Sequence, residues 1–143
     1  MLEENRPFPD IVLVDRDGAA RRFSELPAER GWLVVLAPPG SEPFLGRISS
    51  RLAEIRIFNA EPLVIETGAP LELTETPPFP VVRPADPWLA WKELGMDPRV
   101  ARMVTIAVVD RAGNVRKIYR EPVDRLPSMT TLLGWLGFLD RNA

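Results

Sequence analysis

The chain has 143 residues, 45% hydrophobic and 27% charged, a composition typical of one globular domain with a sizeable core. Its formal net charge of −2 gives no indication of a nucleic-acid partner or of an anionic membrane surface. It contains no cysteine and no histidine, so thiolate nucleophiles, disulfides, Ser-His-Asp triads and the usual zinc sites are excluded.

The first half of the chain predicts two strands joined by a helix, preceded by a small hairpin. The hairpin is indicated by an apolar run and a turn at Asp15-Arg-Asp-Gly18, and Ser24 is suited to cap a short helical turn after it. The helix would make the strands on either side of it parallel. In chain order the elements are the hairpin at 8–23, a buried strand at 32–37, the helix from 43 to about 58 and a strand at 62–66.

The second half predicts an antiparallel hairpin between two helices. Asp86 is placed to cap the first helix, Gly95 to end it, and Ser128 to cap the last one. The remaining elements are an irregular segment at 67–78, a short strand at 79–82, a buried strand at 104–109 and its hairpin partner at 115–119. Parallel and antiparallel strands with intervening helices predict a single α/β domain, residues 1–143, with a mixed sheet and helices on both faces.

The turn after strand 32–37 is where ligands and chemistry usually lie in open α/β sheets. Ser41 is favoured there as a helix cap, and Glu42 suits the positive end of the helix dipole. Pro43 fits the first helical turn, and Phe44 is expected to fill the core or, as an alternative, to contact a partner. Asp15, Asp17 and Asp110 lie in turns, and their spacing does not match a calcium loop, so we expect no metal site.

No segment has the pattern of a targeting or membrane-spanning sequence. Residues 1–7 lack the organisation of a secretory signal. The longest apolar runs, about six residues, are far shorter than the roughly 20 needed to cross a bilayer. We therefore expect a cytoplasmic protein without a membrane partner. Its 16 prolines are compatible with a heat-adapted source.

Three stretches resemble the peroxiredoxin and thiol-reductase (AhpC/TSA, redoxin) branch of the thioredoxin-like superfamily. Residues 8–18, Phe-Pro-Asp-Ile-Val-Leu-Val-Asp-Arg-Asp-Gly, resemble its opening strand and D-x-D-G turn. Phe23-Ser-Glu-Leu26 is similar to its short f-s-L turn. Residues 104–115 are similar to its P-T-x-F-V-I-D-x-x-G-x-V strand and hairpin. The resemblance implies a thioredoxin-like three-layer α/β/α fold with a mixed central sheet and an N-terminal β-hairpin.

The resemblance also implies that the redox site of this branch is degenerate here. In the family, the turn after the second strand commonly carries its cysteines as C-x-P-C, and the matching tetrad is Ser41-Glu42-Pro43-Phe44. Pro43 is kept, whereas Ser41 and Phe44 replace the cysteines. The proline that many relatives hold in cis falls at about Val104. Without a thiolate at the helix N-terminus we expect neither peroxide reduction nor disulfide exchange, and no catalytic residue or cofactor.

Three functional hypotheses follow. The first is a redox-inactive module that binds a protein partner or forms a homodimer. Its candidate contacts are Trp88 and Trp91, which are otherwise half-buried helix residues, and Trp135 and Phe138, which are otherwise core residues. The second is a non-thiol enzyme that uses Glu42 or Asp110, as a carboxylate of raised pKa, in the cleft at the degenerate turn Ser41–Phe44. The third is a small-ligand carrier that uses the cleft at Ser41–Phe44 without chemistry.

Overall fold

The computed structural model describes residues 2–27, 29–96 and 102–142. The strands are β1 (Val12–Val14), β2 (Ala20–Arg22), β3 (Gly31–Ala37), β4 (Ala60–Glu66), β5 (Val81–Pro84), β6 (Met103–Val109) and β7 (Val115–Pro122). They form one seven-stranded sheet in the order β2-β1-β5-β4-β3-β6-β7. At its centre β3 is parallel to β4 and antiparallel to β6, so the sheet is mixed, as predicted.

The helices are α1 (Glu42–Ser50), α2 (Leu52–Ile57), α3 (Pro87–Leu94) and α4 (Met129–Arg141). The prediction of one continuous helix over 43–58 is wrong, because the helix is interrupted between α1 and α2. Arg51 has φ −115° and ψ 15°, outside the helical region, and serves as the end of one helix and the start of the next. The apolar spacing continues across the break, which is why the sequence pattern does not reveal it.

Two of the four predicted side-chain caps, those of Asp86 and Ser128, are present. An Asp86 carboxylate oxygen accepts the Leu89 N–H at 3.2 Å, and the Ser128 hydroxyl oxygen accepts the Thr131 N–H at 3.2 Å. Ser24 does not cap, because its N–H and hydroxyl both donate to the Asp10 carboxylate, at 2.8 and 2.9 Å. Asp10 thereby ties the first hairpin to the residues that follow it.

The sheet separates two apolar cores, which gives the predicted three-layer α/β/α architecture with an N-terminal hairpin. Alternate side chains of β3 enter different cores because successive residues of a strand point to opposite faces. Leu33, Val35 and Ala37 pack with α1, α2 and α4, whereas Trp32, Val34 and Leu36 pack with α3 and the N-terminal residues. Every residue of β3 is buried.

Both edges of the sheet are protected. Along β7 runs an N-terminal strap, residues 2–8, in which the Asn5 N–H donates to the Val115 carbonyl oxygen at 2.6 Å. The Glu4 carboxylate accepts the Ile118 N–H at 3.0 Å and so satisfies a backbone donor of the edge strand. The other edge, β2, is only three residues long and fully exposed. No helix in the described part of the chain is long and apolar enough to cross a bilayer.

Candidate functional site

The turn that follows β3 is held by a buried serine. Ser41 has no solvent exposure, and its hydroxyl donates to the Pro38 carbonyl oxygen at 2.6 Å. The prediction that its side chain caps α1 is wrong, although Ser41 occupies the N-cap position. Its backbone is already helical, with φ −84° and ψ −4°. An N-cap side chain usually reaches the helix N–H groups from an extended backbone, whereas this hydroxyl binds the residue three positions before it.

Glu42 closes the same turn from the helix side. Its carboxylate accepts the Gly40 N–H at 2.8 Å, and Gly40 has φ +96°, a conformation that side-chain-bearing residues rarely adopt. Glu42 is half-buried at the first position of α1, where the helix dipole favours a negative charge. Pro43 follows as an exposed residue in the first turn, where no N–H is needed.

Phe44 and Val104 supply apolar surface beneath this turn. Both are fully buried and belong to one core cluster, and the Arg47 guanidinium lies 5.0 Å from the centre of the Phe44 ring. Val104 lies in β6 next to Thr105, which pairs with Leu36 near the end of β3. All peptide bonds between described residues are trans, including the bond after Val104.

The serine of this turn is not activated as a nucleophile. The Ser41 hydroxyl already donates its proton to a carbonyl, and the chain has no histidine that could activate it. Within the described residues there is no group of three or more carboxylates that could hold a metal ion. The arrangement can fix the direction in which α1 leaves the sheet, and nothing in it replaces a thiolate.

Glu42 and Asp110 follow opposite ends of the central strand pair. Glu42 follows the carboxyl end of β3, whereas Asp110 follows Val109, which pairs with Trp32 at the opposite end of that strand. The seven-residue strand between these two ends is about 20 Å long. The prediction that Asp110 lies in the cleft at Ser41–Phe44 is therefore wrong, because β6 runs antiparallel to β3.

Five cavities of about 210 to 420 Å³ lie on the described surface, and residues 41–44 line none of them. A cavity of about 280 Å³ lies nearer to the turn, between Glu66, Arg83 and Trp91. The largest, about 420 Å³, lies at the opposite end of the sheet, between the last turns of α4 and the β6–β7 turn. Sequence reasoning missed this cavity because its walls come from segments that are distant in the chain.

The aromatic residues predicted as partner contacts lie on two helices. On α3, Trp88 is 75% exposed and its neighbour Leu89 is 51% exposed, while Trp91 is half-buried. The rings of Trp88 and Trp91 meet edge to face with their centres 5.1 Å apart. We call Trp88, Leu89 and Trp91 the α3 aromatic face.

The aromatic pair on α4 is more strongly tied to the chain itself. The Trp135 indole N–H donates to the Tyr119 hydroxyl at 2.9 Å, and the Lys117 ammonium lies 5.8 Å from the Trp135 ring centre. Phe138 meets Trp135 edge to face at 6.1 Å and is exposed. Trp135 therefore has its polar group satisfied within the protein, while the indole of Trp88 projects mainly into solvent.

Comparison with known proteins gives structural matches and no sequence matches. No protein-family model matches the chain, and no curated protein matches it. A yeast mitochondrial 1-Cys peroxiredoxin is similar, with a TM-score of 0.73 and 13% identity over 93% of this chain and 74% of that one. Peroxiredoxin Q from Xanthomonas campestris is also similar, with a TM-score of 0.70 and 14% identity over 96% and 99% of the two chains. The chain has a peroxiredoxin fold.

The structural match confirms the fold that the resemblance implied. It assigns no role to any individual residue. A peroxiredoxin-like fold without any cysteine fits a redox-inactive thioredoxin-like domain. Sequence reasoning identified Ser41 and Glu42 as residues of the turn, but it missed their partners, Pro38 and Gly40. Both partners are backbone groups. The pattern of side chains in a sequence does not indicate which backbone groups of a turn can form a hydrogen bond with a side chain.

Proposed function

We propose that the protein is a non-catalytic, protein-binding domain built on a peroxiredoxin fold. The observation that carries this proposal is the state of Ser41, which is buried and donates its hydroxyl proton to the Pro38 carbonyl oxygen. Thiol peroxidases and disulfide reductases need a thiolate, and this chain has no cysteine at any position. The turn still joins a buried strand to a helix but contains no thiol, which favours binding over catalysis.

The α3 aromatic face is the surface we assign to the partner. Tryptophan is enriched among the residues that dominate binding energy, and Trp88 exposes three quarters of its surface next to an exposed leucine. The partner is a protein that offers an apolar cleft to the indole of Trp88, and a second copy of this chain is the alternative that the test must separate. Trp91 supports the ring of Trp88 from the side, which lowers the entropy lost when a partner orders it.

The other two hypotheses receive no support from the turn. Residues 41–44 line none of the five cavities, so neither hypothesis gains support from them. The Glu42 carboxylate, which a non-thiol enzyme would use, accepts the Gly40 N–H.

The first part of the test measures activity. Purified protein should consume neither hydrogen peroxide nor an organic hydroperoxide above a no-protein control, with a thiol reductant present, and should not reduce insulin disulfides. Turnover in either assay would overturn the proposal, because it would require a reactive group other than those in the turn.

The second part measures binding with a matched pair of variants. The wild-type protein should capture a defined partner in stoichiometric amount from its native host, and Trp88→Ala should lose at least about tenfold in affinity for that purified partner. Ile57→Ala is the control, because Ile57 is 71% exposed on α2 and lies outside the α3 aromatic face. Sedimentation velocity of the protein alone separates a second copy from another protein. Equal binding by wild type and Trp88→Ala would refute the assignment of this surface.

A further inference from the structure

The largest of these cavities is lined by small residues at the starts of two neighbouring strands. Gly31 starts β3, and a Cβ placed on it would lie 2.8 Å from the Val109 carbonyl oxygen, so no side chain fits there. Its partner in β4 is Ala60, a second small residue in the lining. The cavity of about 420 Å³ falls in the range of about 300 to 1,000 Å³ that is usual for small-molecule sites.

The base of the cavity is apolar. Phe58 from the end of α2, Leu136 and Leu139 from α4, and Val109 from β6 contribute its apolar walls. Leu136 and Val109 are buried members of the two cores, so this part of the wall is fixed by packing on both faces of the sheet. An apolar group that entered would displace water from surface that is already formed, which favours binding.

The rim carries charges of both signs on different elements. On the β6–β7 turn, Asp110 is fully engaged: its carboxylate accepts the Ala112 and Asn114 N–H groups, each at 3.0 Å, and pairs with Arg116 at 3.3 Å. Arg111 lies beside it, and no ion pair between described residues includes Arg111. The turn therefore contributes excess positive charge to the cavity.

The end of α4 contributes negative charge to the cavity through Asp140. The Asp140 carboxylate accepts the Asn59 side-chain N–H at 2.8 Å, and no ion pair between described residues neutralises it. The cavity lining thus includes Arg111 on the β6–β7 turn, Asp140 near the end of α4 and apolar side chains from α2, α4 and β6.

We propose that this cavity binds a small zwitterion with an apolar body, the chemistry of a free amino acid with a large apolar side chain. The ligand carboxylate pairs with Arg111, its ammonium group pairs with Asp140, and its apolar body covers Phe58 and Leu139. A simple anion would be repelled by Asp140, and a simple cation by the guanidinium of Arg111. The site is independent of the proposed protein-binding role, since it shares no residue with the α3 aromatic face.

Calorimetric titration of the full chain with three related probes tests the proposal. The probes are L-phenylalanine, 3-phenylpropanoate, which lacks the ammonium group, and 2-phenylethylamine, which lacks the carboxylate. L-Phenylalanine should bind at least about tenfold more tightly than either analogue, because each analogue loses one charge-assisted contact. Absence of binding up to about 10 mM, which is weak for a ligand of this size, would overturn the proposal, as would equal binding of all three probes.

Matched charge variants locate the binding. Arg111→Ala and Asp140→Asn should each weaken L-phenylalanine binding about tenfold, and Asp140→Asn keeps an oxygen that can accept the Asn59 N–H. Arg21→Ala and Asp124→Asn are the controls, because both residues are exposed and neither lines the cavity. Unchanged thermal midpoints would show that all four variants are folded. Binding that survives both cavity variants, or that falls equally in the controls, would refute the assignment.

Discussion

Replacing Ser41 by aspartate should strongly destabilise the protein, whereas the same change at Ser128 should be nearly neutral. Both serines precede helices, and the sequence alone predicts the same capping role for each. They differ in structure, because the Ser128 oxygen accepts the Thr131 N–H at the surface while the buried Ser41 hydroxyl donates to the Pro38 carbonyl. Aspartate can replace an acceptor but, when ionised, cannot replace a donor.

The magnitudes follow from burial and from the partners left behind. An aspartate at position 41 would place an unpaired charge against the Pro38 carbonyl oxygen, which costs about 3 to 5 kcal/mol of unfolding free energy. Ser41→Ala removes one hydrogen bond, but the Pro38 carbonyl oxygen still accepts the backbone N–H of residue 41 at 3.2 Å. The loss of unfolding free energy is therefore about 0.5 to 1.5 kcal/mol. At position 128, aspartate caps about as well as serine and the change should be within about 0.5 kcal/mol, whereas Ser128→Ala should cost about 1 kcal/mol.

Urea unfolding at neutral pH, followed by tryptophan fluorescence and far-UV circular dichroism, measures these differences. For a domain of this size, the expected loss in Ser41→Asp corresponds to a fall in thermal midpoint of about 10 °C or more. The reasoning would be refuted if Ser41→Asp were as stable as Ser128→Asp, since the position 41 side chain would then have access to water or to the helix N–H groups.

Three further changes have definite signs. Gly46→Ala should raise the unfolding free energy by about 0.5 to 1 kcal/mol, because the new Cβ meets nothing within 4 Å in the middle of α1. Gly31→Ala should lower it by about 1 to 3 kcal/mol through the close contact with a carbonyl oxygen, and the opposite sign in either urea titration would contradict the packing described here. The Ser24 N–H and hydroxyl hold the pKa of Asp10 below its usual value, so its charge stabilises the fold above about pH 4. The stability difference between wild type and Asp10→Asn should be constant near neutral pH and shrink as pH falls through the lowered pKa, which urea titrations from about pH 2.5 to 7 would detect.

Features that depend on neighbouring residues were predictable from the sequence. Asp86 and Ser128 cap their helices and Gly95 ends α3 with φ +69°, because each interaction is completed within four residues. The buried strands were equally clear, since continuous apolar runs bounded by turn residues have few alternatives. These local signals, in order, were sufficient for the mixed sheet and its three layers.

Features that depend on distant segments were not predictable. Ser41 differs from Ser128 because its side chain is buried, which no pattern within the turn reveals. The separation of Glu42 from Asp110 depends on the pairing direction of β3 and β6. The largest cavity depends on the starts of β3 and β4, the end of α4 and the β6–β7 turn, four segments that only the folded chain brings together.

The protected edges of the sheet limit how this protein can meet another chain. A partner that added a strand to β7 would first have to displace the N-terminal strap and break the bond from Ile118 to Glu4. β2 offers only three exposed residues, two of them arginines, which is a poor template for pairing. Strand addition is therefore disfavoured at both edges of the sheet. A fusion that pulls residues 2–8 away from the sheet should convert the domain into one that pairs edge to edge with itself.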